Sequence, residues 1–184
     1  MGFALAEECA SRGAEVTLIS GPVQLKTYHP NIHRIDVESA KEMYEAAILA
    51  YLEMDAGILC AAVADFTPET VADEKIKRKG DELHICLKPT QDIAANLGKI
   101  KKANQLLVGF ALETNDEKAN AQGKLERKNF DFIVLNSLND KGAGFRCDTN
   151  KITIIDKIKQ TEYPLKSKAL VAKDIINRLS EELK

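Results

Sequence analysis

Ile58-Leu59-Cys60-Ala61-Ala62-Val63-Ala64-Asp65-Phe66-Thr67-Pro68 is an apolar run that stops abruptly on an acid, an aromatic and a proline. The stretch Ile58 to Val63 reads as a buried strand. A basic cluster, Glu74-Lys75-Ile76-Lys77-Arg78-Lys79, follows within about a dozen residues. In α/β proteins, ligands sit outside the carboxyl ends of the strands. A carboxylate and a basic loop at such an end suit a ligand carrying both polar groups and phosphates. Taken by itself, the stretch fits the plainer reading better: a strand ends and a solvated charge run follows. The rest of the chain tips the balance the other way.

On the N-terminal side, Gly2 to Arg12 has helical spacing, with Phe3, Leu5, Ala6, Cys9 and Ala10 on one stripe and Gly13 as its terminator. Glu15 to Ile19 is a strand stopped by Ser20-Gly21-Pro22, and a short strand follows near Ile32 to Val37. Ser39 with Glu42 has capping-box spacing for a helix to about Glu53, which leads into a strand within Asp55 to Val63.

On the C-terminal side, Glu82 to Lys88 alternates like a strand, and a helix opens at Thr90 or Gln91 and runs to about Ile100. Gln105 to Leu112 is a second buried strand, followed by a helix from about Asn115 to Arg127. Phe132 to Leu135 is a strand ending at Asn136. A glycine-containing loop leads to a hairpin, Lys151 to Asp156 with Gln160 to Tyr163, and a last helix runs from Ser167. Strands separated by helices predict an α/β, Rossmann-like three-layer fold with a mostly parallel sheet and a late β-hairpin. One feature departs from that pattern. A mononucleotide-binding half opens with a strand and a glycine-rich turn, and here the first element is a helix.

The chain has 184 residues, enough for one domain with a real core. A net charge of -2 argues against binding nucleic acid by bulk phosphate neutralisation, so any anion site must be a local cluster of Lys and Arg. Cys9, Cys60, Cys86 and Cys147 are widely spaced, which fits reduced thiols and a cytoplasmic location. His29, His33 and His84 lack partners at metal-ligand spacing, so no structural zinc is expected. No apolar stretch is long enough to cross a bilayer.

Several candidates collect at strand ends. Asp65 and Phe66 close one strand, Gly109-Phe110-Ala111-Leu112-Glu113-Thr114 another, and Asn136 a third. Lys88-Pro89-Thr90-Gln91-Asp92-Ile93 turns into a helix whose free N–H groups favour anions. Lys124 and Lys128 are four residues apart and face one way. Each has an ordinary reading as well: solvated lysines, a core phenylalanine, a turn-forming asparagine.

Read in order, the blocks Ala-Ala-Val-Ala-Asp-Phe (61–66), Glu-Lys-Ile-Lys-Arg (74–78), Asp-Ile-Ala (92–94), Val-Gly-Phe-Ala-Leu-Glu-Thr (108–114), Lys-x-x-x-Lys-Asn-x-Asp (124–131), Asn136 and Gly-Phe-x-x-Asp-x-Asn (144–150) resemble phosphopantothenate–cysteine ligase. This is the synthetase part of the bacterial bifunctional coenzyme A biosynthesis protein. Each block is weak alone; together they span the chain from Met1 to the final helix.

The resemblance implies an enzyme that activates the carboxylate of 4'-phosphopantothenate with CTP. It then joins the acyl-cytidylate to L-cysteine. Mg2+ (or Mn2+) would accompany the nucleotide. Lys75 is implied as the catalytic residue, reaching the triphosphate from a mobile loop. Ala61, Ala62, Asp65, Thr90, Gln91, Asp92, Ile93, Phe110, Lys124 and Lys128 are implied as the nucleotide site. A homodimer through Glu82 to Lys88 and the late hairpin is expected, with a flavin-dependent decarboxylase domain or protein as a further partner.

Two departures qualify this reading. Pro89-Thr90-Gln91-Asp92-Ile93 stands where the family has Asn-Pro-Asp-Ile. The family also starts with a strand, a glycine-rich turn and an Arg/Asn segment ending Ser-Ser-Gly. The expectation is therefore a single domain, residues 1–184, shortened at its N-terminus, that keeps most of the CTP site but has impaired ligase activity. The rivals are a non-catalytic CTP-binding or assembly module and an NAD(P)-dependent Rossmann oxidoreductase. The latter lacks a G-x-G-x-x-G, and Gly142-Ala143-Gly144 is a weak substitute.

Overall fold

In the computed structural model, which describes residues 1–78, 80, 82–113, 116–137 and 148–183, helices and strands alternate along the chain. Helix α1 (Gly2–Ser11) leads to β1 (Val16–Ser20). Between them Gly13 takes a φ of +91°, a left-handed conformation that ends the helix at no steric cost. Then come β2 (Ile32–Asp36), α2 (Ala40–Tyr51) and β3 (Ala56–Leu59). A short ribbon of β4 (Phe66–Pro68) and β5 (Leu87–Pro89) precedes α3 (Ile93–Ile100) and β6 (Leu106–Glu113). Helix α4 (Glu117–Arg127), β7 (Phe132–Ser137), β8 (Thr149–Asp156), β9 (Gln160–Ser167) and α5 (Lys168–Glu182) complete the chain.

The main sheet has the order β3-β6-β7-β8-β9. Its first three strands are parallel and the β8–β9 hairpin is added antiparallel. Strands β1 and β2 form a separate parallel pair, and β4 and β5 an antiparallel one.

Side-chain alternation sorts the sheet into two cores, as expected for strands covered on both faces. Val108, Phe132, Val134, Ile152 and Ile154 pack with Leu5 of α1 and with Val171, Ile175 and Leu179 of α5. Leu107, Ala111, Ile133, Leu135 and Ile155 face the other way, against Tyr51 of α2, Leu97 of α3 and Leu125 of α4. The predicted three-layer α/β arrangement and the late hairpin are both present.

Buried polar groups at the amino edge of the sheet are paired. The Gln105 amide donates to the carbonyls of Tyr51 and Met54, each at 2.7 Å. Asp131 accepts from Leu107 N–H at 2.6 Å and from Lys101 Nζ at 2.9 Å. These bonds fix where β6 and β7 begin, and through the parallel register where they end.

The structure corrects several sequence-based boundaries. The strand predicted within Asp55 to Val63 ends at Leu59. Cys60 and Val63 still pack onto the two cores, so apolar character continues where ladder pairing stops. The strand predicted from Glu82 to Lys88 is confined to Leu87–Pro89, and its apolar side chains Leu83, Ile85 and Leu87 are exposed. The predicted helix start at Thr90 or Gln91 moves to Ile93, because Asp92 is the N-cap and accepts from Ala95 N–H at 3.0 Å. The Ser39/Glu42 capping box is formed as expected. The loop Gly142-Ala143-Gly144 and the start of the Gly144–Asn150 block lie outside the described residues.

Candidate functional site at the carboxyl edge of the sheet

The parallel registers define a crevice. Strand β3 pairs with β6 only as far as Leu59 opposite Gly109. Strand β6 continues to Glu113 with β7 on its other side. Phe110 is therefore the first β6 residue with no β3 neighbour, and the chain after β3 swings away from it.

That departing segment is tied to the turn before α3. Thr90 N–H donates to the Asp65 carbonyl at 2.9 Å, and the Thr90 hydroxyl donates to the Ala64 carbonyl at 2.7 Å. The ribbon pairing of Phe66 with Pro89 holds the same two segments together. Two residues on from Thr90, Asp92 caps α3 and pairs with Lys128 Nζ at 3.1 Å. Lys128 closes α4 and donates its own N–H to the Lys124 carbonyl at 3.0 Å. Ala64, Asp65, Thr90, Asp92 and Lys128 thus form one connected chain of contacts, with Lys124 one turn back on α4.

Helix α3 can approach the end of α4 because Gly98 has no side chain. A Cβ there would stand 2.1 Å from the Lys128 carbonyl oxygen. Asn129, with φ +54°, donates from Nδ2 to the Gly98 carbonyl at 2.9 Å and fastens the contact. Sequence reading missed Gly98: a glycine inside a helix shows nothing of what lies across from it.

The remaining candidates are more loosely placed. Ala61, Ala62 and Gln91 are exposed and Ile93 is buried. Ile93 belongs to the core beneath the site rather than to its surface, because its side chain joins the α3–α4 layer. Phe110 is half-buried against the α1–α5 layer, on the face of the sheet opposite Asp92 and Lys128. Lys75 is exposed within a segment that is exposed throughout, from Pro68 to Arg78. Neither Asp65 nor Lys75 has a side-chain partner among the described residues. The strand-end Asn136 accepts at Oδ1 from the buried Asn150 of β8 at 3.2 Å. The hairpin therefore braces this edge, which the late position of Asn150 in the sequence did not suggest.

Burial alone would raise the Asp92 carboxyl, but hydrogen bonds from Ala95 N–H and Lys128 outweigh it and hold the group below its usual range. A carboxyl lowered in the folded state stabilises the fold above its unfolded value, and that contribution is lost as pH falls through the folded one. The effect is therefore present at neutral pH and disappears below about pH 4. Asp92→Asn keeps a good N-cap but removes the charge pair. Because Asp92 is half exposed, the loss at pH 7 should stay below about 1 kcal/mol. Thermal midpoints at pH 6 and pH 3 should fall less for Asp92→Asn than for the parent; equal falls would mean that Asp92 is not coupled to Lys128.

Parallel strands ending together beside a capped helix define this molecule as a doubly wound α/β domain, a fold in which ligands sit at the carboxyl edge of the sheet. The chain belongs to the DNA/pantothenate metabolism flavoprotein C-terminal domain family, whose model matches residues 1–183. Over 180 residues it is 59% identical to a cysteine/cysteine sulfinic acid decarboxylase of an unknown prokaryote, covering 97% of this chain and 50% of that protein. It is 45% identical over 181 residues to the coenzyme A biosynthesis bifunctional protein CoaBC of Bacillus subtilis (strain 168), covering 98% of this chain and 44% of the relative. Among solved structures, the C-terminal domain of CoaBC superposes with a TM-score of 0.82 at 37% identity, covering 99% of this chain and 81% of that one. The chain thus spans about half the length of the curated relatives it matches.

Proposed function

We propose that this domain is a CTP-dependent phosphopantothenate–cysteine ligase. The observation that carries the proposal is the connected set Ala64–Asp65–Thr90–Asp92–Lys128 at the end of β3. Backbone groups, the Asp92 carboxylate and Lys128, with Lys124 one turn back on α4, support this reading, in a family whose CoaBC members take their name from coenzyme A biosynthesis.

The chemistry follows from what a carboxylate lacks. It is a poor electrophile at neutral pH and must gain a leaving group. A carboxylate oxygen of 4'-phosphopantothenate attacks the α-phosphorus of CTP and pyrophosphate departs. The cysteine amine then attacks the acyl carbon, CMP leaves, and the amine proton passes to solvent. Lys124 and Lys128 neutralise phosphate charge from α4, and Lys75 adds a cation from the exposed segment after β4. Ala61 and Ala62 let the nucleotide approach the backbone closely. Phe110 borders the nucleotide from the α1–α5 face of the sheet, and backbone groups from Thr90 to Ile93 read the cytosine edge. When CTP binds, Lys128 must divide its charge between Asp92 and a phosphate, which is how a ligand is sensed at the start of α3. Asp65 offers a carboxylate with no partner among the described residues, which suits magnesium, an ion usually held by phosphates and one or two protein carboxylates.

A homodimer would cover the β4–β5 ribbon. Phe66 and Leu87 of the ribbon and Val71, Ile76, Leu83 and Ile85 between its strands are exposed, and a two-stranded ribbon with an apolar surface is stable only when covered. A flavin-dependent decarboxylase domain is the expected functional neighbour. The decarboxylase named among the relatives is a protein about twice this length. No helix of the described residues is long and apolar enough to cross a membrane, in keeping with a cytoplasmic enzyme.

Titration of the purified chain with CTP, ATP and NADPH in magnesium buffer separates the rivals. CTP binding at least tenfold tighter than either other ligand is expected. Pyrophosphate release should then require 4'-phosphopantothenate. CTP binding without release would leave a binding module, and preferential NADPH binding would overturn the ligase reading.

A further inference from the structure

Asn150 is a buried amide that uses only half of its hydrogen-bonding capacity. It is 2% exposed, at the start of β8. Its Nδ2 donates to Asn136 Oδ1 at 3.2 Å. Its own Oδ1 is closed off from solvent without a partner among the described residues. Gln105, the other buried side-chain amide among the described residues, is fully engaged. Its Oε1 accepts from Lys102 N–H at 2.9 Å while Nε2 donates twice. Buried Asp156 likewise accepts from Ile158 N–H, Lys159 N–H and Arg178. A buried carbonyl left unpaired lowers stability, so packing alone gives no reason to keep an asparagine in that place.

Its position supplies one. Side chains alternate along β7 and β8, so Asn136 shares a face with Val134, and Asn150 with Ile152 and Ile154. This is the α1–α5 face, against which Phe110 of β6 also packs. The β7–β8 ladder ends with Asn136 opposite Ile152. Asn150 therefore reaches Asn136 diagonally, beyond the last paired residues, a distance that cross-strand neighbours can bridge. On its other side β8 meets an irregularity. Asn150 pairs with Lys166 and Ile152 with Tyr163, so two steps along β8 are matched by three along β9. Bulges of this kind twist a strand and re-aim side chains beside functional sites.

Two carboxamides can share one hydrogen bond in two ways. If Asn150 accepted from Asn136 Nδ2, the half-buried Asn136 would be left with its oxygen free at the strand end. The arrangement present is the reverse. Asn136 Oδ1 is engaged, and its Nδ2 has no partner among the described residues. A donor, not an acceptor, is left free at the carboxyl edge, where ligands of this fold sit.

We propose that Asn150 is a positioning residue: by donating to Asn136 Oδ1 from the hairpin, it fixes the Asn136 carboxamide so that Nδ2 is offered to an oxygen acceptor of the nucleotide in the crevice. The unpaired Asn150 oxygen is then the stability cost of orienting its neighbour. The positioning role stands on the hydrogen bonding itself; the nucleotide as recipient rests on the ligase reading.

Asn150→Leu separates function from folding. Leucine is close to asparagine in shape and removes the unpaired oxygen, and Asn136, at the sheet edge, can turn its own oxygen to water. The thermal midpoint should therefore hold or rise. Function should move the other way. In 15N-labelled chain without nucleotide, the Asn136 carboxamide signal, identified by its loss in Asn136→Ala, should be ordered in the parent. In Asn150→Leu its order parameter should fall below about 0.6. CTP binding in magnesium buffer should weaken by about tenfold, as expected for one misdirected hydrogen bond. Asn150→Ala is read in the same way if the leucine variant does not fold. An Asn136 signal equally ordered in parent and variant would overturn the positioning role. Unchanged CTP affinity in a variant whose Asn136 has become mobile would overturn Asn136 as the donor. Weaker binding with a lower midpoint and an ordered Asn136 would make Asn150 purely structural and overturn the proposal as well. Should the parent itself fail to bind CTP, the ligase reading falls, and the order parameter alone decides whether Asn150 positions Asn136.

Discussion

Gly98→Ala should lower the thermal midpoint by roughly 4–8 °C, whereas Gly123→Ala should raise it slightly. Both are interior helix positions, in α3 and α4. Alanine is intrinsically the better helix former by about 1 kcal/mol, so propensity alone predicts that both substitutions stabilise. Tertiary contact separates them. A Cβ at Gly123 meets nothing within 4 Å, while one at Gly98 meets the Lys128 carbonyl oxygen at 2.1 Å and its carbon at 2.9 Å.

That obstacle is backbone, and it cannot swing aside. Asn129 is held in a left-handed conformation and donates to the Gly98 carbonyl. Lys101 Nζ donates to the Asn129 carbonyl at 2.9 Å. Overpacking against a fixed wall costs roughly 1–3 kcal/mol or more. The upper end of that range, less the helix gain, leaves a net loss of about 2 kcal/mol, or roughly 4–8 °C for a domain of this size. The side chain of Lys128 runs to Asp92 from the same residue whose carbonyl blocks Gly98. The substitution should therefore also weaken CTP binding at temperatures where the protein stays folded. Equal midpoints for the two variants in calorimetry would refute the close approach of α3 to α4.

The contrast between these glycines shows which parts of the molecule were legible in the sequence. Local devices could be read. The Ser39/Glu42 capping box, the stop at Gly13 and the apolar stripe of α5 each depend on residues within a few positions of one another. The continuous apolar runs of β6 and β7 could be read because both faces are covered.

Failures arose where the pattern was right but the partner was absent or distant. Glu82 to Lys88 alternates, yet its apolar side faces outward, so period two marked a surface and not a buried ladder. Cys60 and Val63 continue the apolar run after β3 because they pack on helices, without strand pairing. The candidate site divides in the same way. Strand ends and helix lysines stood out by residue type. The link from Asp92 to Lys128 spans 36 positions, and only the fold brings the two together.

Lys75→Ala is expected to reduce kcat by at least a hundredfold while changing the KM for CTP less than threefold. The argument starts from exposure. Lys75 lies in a stretch exposed from Pro68 to Arg78, and its ammonium has no partner among the described residues. In the proposed ligase, the cations that would bind phosphate from a fixed place are on α4, where Lys128 is half-buried and already paired. Ground-state affinity should therefore come mainly from α4. A cation carried on an exposed segment contributes most once substrates draw that segment over the crevice. It then meets negative charge that grows on the phosphorus oxygens as pyrophosphate leaves. Removing one such group commonly costs about 10²–10³ in kcat. Lys75→Arg should recover part of the rate, since charge is restored with altered geometry. Lys128→Ala should show the opposite balance, with weaker CTP binding as its main effect. Pyrophosphate release measured over a range of CTP concentrations distinguishes the two. A Lys75→Ala protein that loses CTP affinity but turns over normally at saturation would place Lys75 in binding and leave the catalytic cation to be found elsewhere.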